Sequence, residues 1–166
     1  MSPEEIADLW EAMRPYCERI AIAGSIRREK AEVKDIEICV ISKWEERTGA
    51  DLFGTPEQVN LLHEWTHRTD LVQWIKPGVS ESIPWTPKAD GKYWRGAVKN
   101  ALGLAGPMDC IKLDLFLASA DNWGAILMVR TGSANFSKAV MTHALKIGKR
   151  CVDGHFTIDG EPVPTP

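Results

Sequence analysis

An α+β fold, mixed in its order of helices and strands, follows from three observations. Residues 33–41 alternate around Ile36, Ile38 and Val40, the period of a strand with one buried face. Residues 111–117 form a second strand-like run of Ile, Leu and Phe, in which Asp114 is the lone acid. Ahead of both, Ser2-Pro3-Glu4-Glu5 is a helix-start signal, and Ile6, Leu9, Trp10 and Met13 follow at helical spacing.

The elements are justified in chain order. Ser2 is the expected N-cap, Pro3 sits at the first helical position, Glu5 completes a capping box, and Pro15 marks the end of this core-facing helix. A short strand at 19–23 leads into the Gly24-Ser25 turn, and the strand at 33–41 follows. Residues 44–54, charged and glycine-containing, read as a loop. Thr55-Pro56-Glu57 then opens a second helix with Leu62 and Trp65 facing inward, and 70–75 returns as a strand. Lys76-Pro77-Gly78 turns the chain into a polar loop with Trp85 and two prolines. Residues 92–98 read as a strand or the beginning of a helix, and 101–107 as a loop. Asp121 is expected to cap a helix through Ile126, Leu127 and Val129, broken at Thr131-Gly132-Ser133. Another helix follows with Phe136, Ala139, Val140 and Ile147, and Gly148 stops it. Asp153-Gly154 and Asp159-Gly160 read as turns around a short strand at 155–158, and the proline-rich end as a tail.

The 166 residues fit one domain, or a domain with a small appendage, and 44% hydrophobic content suits a globular core. No apolar run approaches a membrane span, and a beginning that holds Glu4, Glu5 and Asp8 is neither a secretory nor a transit signal, so a cytoplasmic location is expected. Cys17, Cys39, Cys110 and Cys151 lack Cys-x-x-Cys spacing and read as buried thiols. The net charge of −3 is unfavourable for gripping duplex phosphates. Its distribution is uneven, however. Acids crowd the first seventy residues, whereas Lys138, Lys146, Lys149 and Arg150 lie in an acid-free stretch, and Lys88, Lys92, Arg95 and Lys99 form a second basic cluster. Both clusters also fit ordinary solvated faces.

The chemistry-bearing residues begin with Asp35 and Glu37, two apart on a strand and so on one face. With Asp114, which needs a partner inside its apolar strand, they would make a cage of oxygens for one or two Mg2+ ions, or Mn2+. Gly24 lets the backbone turn closely and Ser25 opens a helix whose free N–H groups face an anion. Lys112 shares the face of Asp114, as a phosphate contact or as simple charge balance. His63-Glu64-Trp65-Thr66-His67 fits the zinc-protease pattern, but no third ligand stands at a familiar spacing, so boundary-face histidines are the default.

The order Gly24-Ser25, Asp35-Ile36-Glu37 and a distant Leu113-Asp114-Leu115 resembles the nucleotidyltransferase superfamily, and Gly24-Ser25-Ile26-Arg27-Arg28 looks like the polymerase beta-like (family X) branch. Residues 128–133, with Phe136 and His143-Ala144-Leu145, are similar to that family's nucleotide-binding segment. The resemblance runs from about residue 19 to about 158, the middle matching mainly in pattern. It implies a palm of mixed or antiparallel sheet flanked by helices at 1–118 and a small C-terminal helical/β lobe at 119–166, acting as a monomer. It implies an edge strand at 92–98 and an outer helix, away from the metals, around His63 and His67. It also implies catalysis by Asp35, Glu37 and Asp114 with two Mg2+, and substrate contacts from Gly24, Ser25, Arg28, Lys112, Thr131, Gly132 and Ser133; Arg27 stays at the surface. The implied reaction joins a nucleoside monophosphate from a dNTP to a DNA primer 3'-hydroxyl, in short gap-filling on primer/template or gapped DNA. The chain departs from the family pattern in Glu37 for Asp, in Val129-Arg130 for two aromatics that police the sugar, and in Ser137 for Asn. Those departures keep two alternatives in view: a nucleotidyltransferase acting on RNA, protein or a small molecule, and a non-catalytic nucleic-acid-binding module.

Overall fold

The computed structural model describes residues 3–49, 51–78, 85–98, 111–152 and 154–166, with the side chains of 3–5 excepted. The Ser2 cap, the Glu5 side chain, Lys99, the loop expected at 101–107, Cys110 and Asp153 lie outside the described residues.

The fold is α+β. Helix α1 (Pro3–Met13) ends in a 3-10 turn and leads to β1 (Cys17–Ile22), the short helix α2 (Gly24–Arg27) and β2 (Asp35–Ser42). The hairpin β3 (Trp44–Thr48) and β4 (Pro56–Asn60) precedes α3 (Leu61–Arg68), β5 (Val72–Ile75), β6 (Tyr93–Val98) and β7 (Ile111–Leu117). Two helices, α4 (Trp123–Thr131) and α5 (Ala134–Lys146), then lead to β8 (Arg150–Val152), β9 (His155–Ile158) and β10 (Glu161–Val163). The main sheet runs β1-β2-β7-β6-β5; its β2–β7 pair is parallel and its other pairs are antiparallel.

Strand alternation sorts the core onto two faces. Ile36, Ile38, Val40, Leu113 and Leu115 turn to one side, where Leu9 and Met13 of α1 and Leu62 and Trp65 of α3 cover them. Burial of each such side chain stabilises the fold by about 1.5–3 kcal/mol. Cys39 and Phe116 turn to the other side and pack under Trp123 of α4 with Ala23. Asp35, Glu37 and Asp114 lie on this second face by the same alternation. Cys17 and Cys39 are buried, and burial pushes each thiol up to about 12; Cys151 is half-buried. Among the described residues no helix is long and apolar enough to cross a membrane.

Several expectations are corrected. Residues 44–54 are not all loop, because Trp44–Thr48 pairs antiparallel with Pro56–Asn60. Cross-strand polar contacts support this exposed hairpin, Gln58 donating to Glu46 at 3.3 Å, and Thr55 closes its turn on the Asp51 carboxylate. Pro56 therefore begins a strand rather than a helix, a place where its missing N–H is tolerated. The helix starts later, at Leu61, capped by the Asn60 side chain accepting from the His63 amide at 3.0 Å. Residues 93–98 are a strand, but an interior one between β7 and β5; the edge position belongs to β5. Asp121 does not cap α4. Asn122 holds the N-cap position, and its side chain turns back to accept from the Ser119 amide at 2.8 Å. Nor is the proline-rich end a free tail. β10 pairs with β9, and Thr165 donates to the Asp121 carbonyl at 2.6 Å and accepts from Gly124 at 2.5 Å, which satisfies the first turn of α4. Gly148, at φ +76°, ends α5 as expected.

Candidate active site

The carboxylates meet because β2 and β7 run parallel in register. Glu37 stands beside Asp114 and Asp35 beside Lys112, about 4.8 Å apart across the strands. The turn after β1 closes on the same place. The Ala23 amide donates to the Glu37 carbonyl at 2.8 Å, and Gly24 takes φ +60° directly against the Glu37 side chain. A Cβ at position 24 would lie 1.9 Å from Glu37 Oε2, so any side chain here would displace the acid. Gly24 serves both the backbone turn and the close approach.

Electrostatics reflect the crowding. The Glu37 carboxyl is held above its ordinary value of 4.5 by burial first, then by Asp35 and Asp114, while Arg130 and Arg28 act in the opposite direction. Asp114, only 12% exposed in its side chain, is matched differently. Arg95 Nε donates to Oδ1 at 2.8 Å and its terminal nitrogen to Oδ2 at 3.2 Å, a two-point clamp, and the Tyr93 hydroxyl donates to Oδ1 at 2.5 Å. Burial and this bond keep the Tyr93 phenol raised and protonated. Register places both partners, since Tyr93 stands opposite Phe116 and Arg95 opposite Asp114.

The two distant motifs are tied by Arg28. Its Nη1 donates to the Thr131 carbonyl and, at 3.2 Å, to that of Gly132, across 103 and 104 positions of chain. Ser25 Oγ, Arg28 Nε and Thr131 Oγ1 are buried with no hydrogen-bond partner among the described residues. Ser133 is committed elsewhere: it caps α5, its hydroxyl accepting from the Phe136 amide at 3.2 Å. Lys112 is exposed on the face of the acids, and Arg27 is exposed, bonded to the Ile22 carbonyl at 3.3 Å.

Hard oxygen donors and a carboxyl raised first by burial and then by its acidic neighbours suit a divalent cation in kind. The arrangement is not a closed cage. Among the described residues no group of three or more His, Cys, Asp or Glu is gathered tightly enough to hold a metal, and both oxygens of Asp114 are occupied by Arg95 and Tyr93. The alternative zinc pattern is spent on structure. His63 Nε2 meets the Pro87 carbonyl at 2.8 Å, and Glu64 pairs with Arg47 at 2.8 Å and Arg68 at 3.6 Å.

Sequence reasoning passed over Tyr93 and placed Arg95 only in a basic cluster, whereas the structure commits Arg95 to Asp114. The alternation Tyr93-x-Arg95 was available as a signal, but the register that sets Arg95 opposite Asp114 was not. Arg130, noted only as a departure from an aromatic pair, lays its guanidinium 3.9 Å from the Phe116 ring centre and lowers the Glu37 pKa. Compared with family models and with curated proteins, the sequence matches none.

Proposed function

We propose that this chain is a palm-type nucleotidyltransferase, joining a nucleoside monophosphate from a dNTP to the 3'-hydroxyl of a DNA primer in short gaps. The observation that carries the reading is the in-register placement of Glu37 beside Asp114, with Asp35 on the same face and Gly24 packed onto Glu37. Asp35, Glu37 and, once released from Arg95, Asp114 would hold Mg2+, which when bound polarises the phosphate and favours the ionised hydroxyl.

The chain's own residues do the rest. The first amides of α2 and the Arg28 guanidinium face the β- and γ-phosphates, with Ser25 Oγ and Thr131 Oγ1 as further polar partners. Lys112 steadies the phosphate at the primer end. The 3'-oxygen bonds to the α-phosphorus as the bond to the bridging oxygen breaks. Pyrophosphate leaves with that electron pair, and the hydroxyl proton passes to a carboxylate oxygen of the trio or to water.

A second reading, transfer to an RNA end, a protein or a small molecule, is favoured by the net charge of −3, which offers a template little grip. The test is incubation with Mg2+ and each labelled triphosphate on gapped duplex, single strand and RNA, alongside Asp114→Asn. Extension of the gapped duplex, lowered at least about a hundredfold in a folded Asp114→Asn, is expected. Pyrophosphate release with no acceptor at all, or an unimpaired variant, contradicts the reading. Preference for RNA would select the second.

A further inference from the structure

Eight of the ten large apolar side chains that stand exposed among the described residues fall in two segments. Three belong to the β3–β4 hairpin: Trp44 at its base, and Leu52 and Phe53 at its tip, 95% and 89% exposed. Five belong to the stretch from α5 to β9: Phe136, Leu145, Ile147, Val152 and Ile158. The two segments are opposite in charge. Residues 44–60 carry four acids and one base, a net charge of −3 that equals that of the whole chain, so the remainder is neutral on balance. The stretch 134–152 carries Lys138, Lys146, Lys149 and Arg150 and no acid. Each segment also has a fitting shape. The turn under the tip is closed by the Thr55 amide and hydroxyl, which donate to the Asp51 carboxylate at 2.7 and 2.5 Å, and Arg47 ties the stem to Glu64 of α3 at 2.8 Å. Apolar side chains on a fixed turn lose little freedom on docking. On α5, Asn135, Lys138, Ala139, Thr142, His143 and Lys146 lie along one exposed face and line a hollow of about 390 Å3. Ala139 is its smallest lining side chain, and by helical spacing Phe136 and Leu145 border it on either side.

We propose that the hairpin tip of one copy of this chain docks on the α5 face of a second, with Phe53 in the hollow over Ala139 and the acids of the hairpin facing Lys138 and Lys146. This one contact covers both exposed apolar segments and pairs their charges. A phosphate backbone would answer the lysines but leave Phe136 and Leu145 in water. An anionic membrane would repel the acidic stem around Leu52 and Phe53. Two apolar side chains with a charged rim make a small contact, so association belongs to the weak class that forms at high micromolar to millimolar concentration. Two copies that exchange tips close as a dimer, and a one-way contact continues as a ring or filament. Either departs from the monomer that the resemblance implies. The contact needs neither metal nor triphosphate and stands apart from nucleotidyl transfer.

The test is sedimentation equilibrium of the full chain from micromolar to millimolar concentration, at about 0.01 M and about 1 M salt. The average mass is expected to rise with concentration at the lower salt, and to rise less at the higher, where the charges are screened. Phe53→Ser and Ala139→Glu, both at exposed positions, are each expected to weaken association at least about tenfold while melting as the wild type does. Mixed in equal amounts, the two variants are expected to pair and go no further, because the first keeps its hollow and the second keeps its tip. Leu52→Ser or Lys138→Glu makes the same comparison if either variant melts lower. A wild type that stays monomeric at millimolar concentration overturns the proposal. So does association unchanged in either variant, association that strengthens at the higher salt, or a mixture that stays monomeric. A monomer whose α5 face instead binds a DNA oligonucleotide, with loss in Lys138→Glu, would overturn it in favour of phosphate.

Discussion

Burial, then Asp35, then Asp114 raise the pKa of Glu37, while Arg130 and Arg28 pull it down. A carboxyl raised in the native state binds its proton more tightly there than in the unfolded chain. Its contribution to stability is therefore full below its ordinary value of 4.5 and declines as pH rises through the raised native value. Glu37→Gln removes that decline. Its melting temperature is expected to fall less than that of the wild type as pH is raised from acid to neutral, in thermal unfolding without metal; parallel profiles would contradict the assignment. Gly24→Ala acts through sterics instead. A Cβ 1.9 Å from Glu37 Oε2, on a residue at φ +60°, is expected to destabilise by about 1–3 kcal/mol. At about 2–4 °C per kcal/mol for a chain of this size, thermal unfolding resolves such a change. At this scale the sequence was informative about shared faces: Gly24 packs on Glu37, which stands beside Asp114 with Asp35 on the same face of the sheet. Arg95 and Tyr93 were not legible, because a residue's cross-strand partner depends on register, which no local pattern states.

The short helix α2 and the break between α4 and α5 are distant in sequence and joined by Arg28. Arg28→Gln shortens the reach and removes the charge that faces the Thr131 and Gly132 carbonyls. The expected loss is about 1–3 kcal/mol in unfolding by denaturant, together with weaker triphosphate binding by calorimetry. Unchanged affinity would leave Arg28 a purely structural tie. Elements with a buried stripe were readable in the sequence, as in β2, where Ile36, Ile38 and Val40 alternate into the core. The hairpin of β3 and β4 was not, since every residue of β3 is exposed and its polar pairs form only after the strands meet. The helix start at Leu61 was misplaced for a related reason. Pro56 and Asn60 both carry start signals, and pairing with β3 consumes the first.

Across the whole molecule, the parallel β2–β7 pair at the centre of the sheet brings the acids together on the face that α4 partly covers, with α1 and α3 insulating the other. The α+β class was legible because it follows from periodicity alone. The docking of Thr165 on α4 was not, because proline-rich polar ends carry no pattern for the surface they meet. The arrangement leaves the acids under-compensated at Glu37 and clamped at Asp114, so the divalent cation of the proposed function would have to compete with Arg95. That competition is measured directly by Mn2+ binding, followed by electron paramagnetic resonance in the presence of a non-hydrolysable triphosphate. Saturable binding to the wild type, lost in Asp35→Asn and tightened in Arg95→Gln, is the result the account predicts. No binding at millimolar Mn2+, or equal binding in Asp35→Asn, would contradict it.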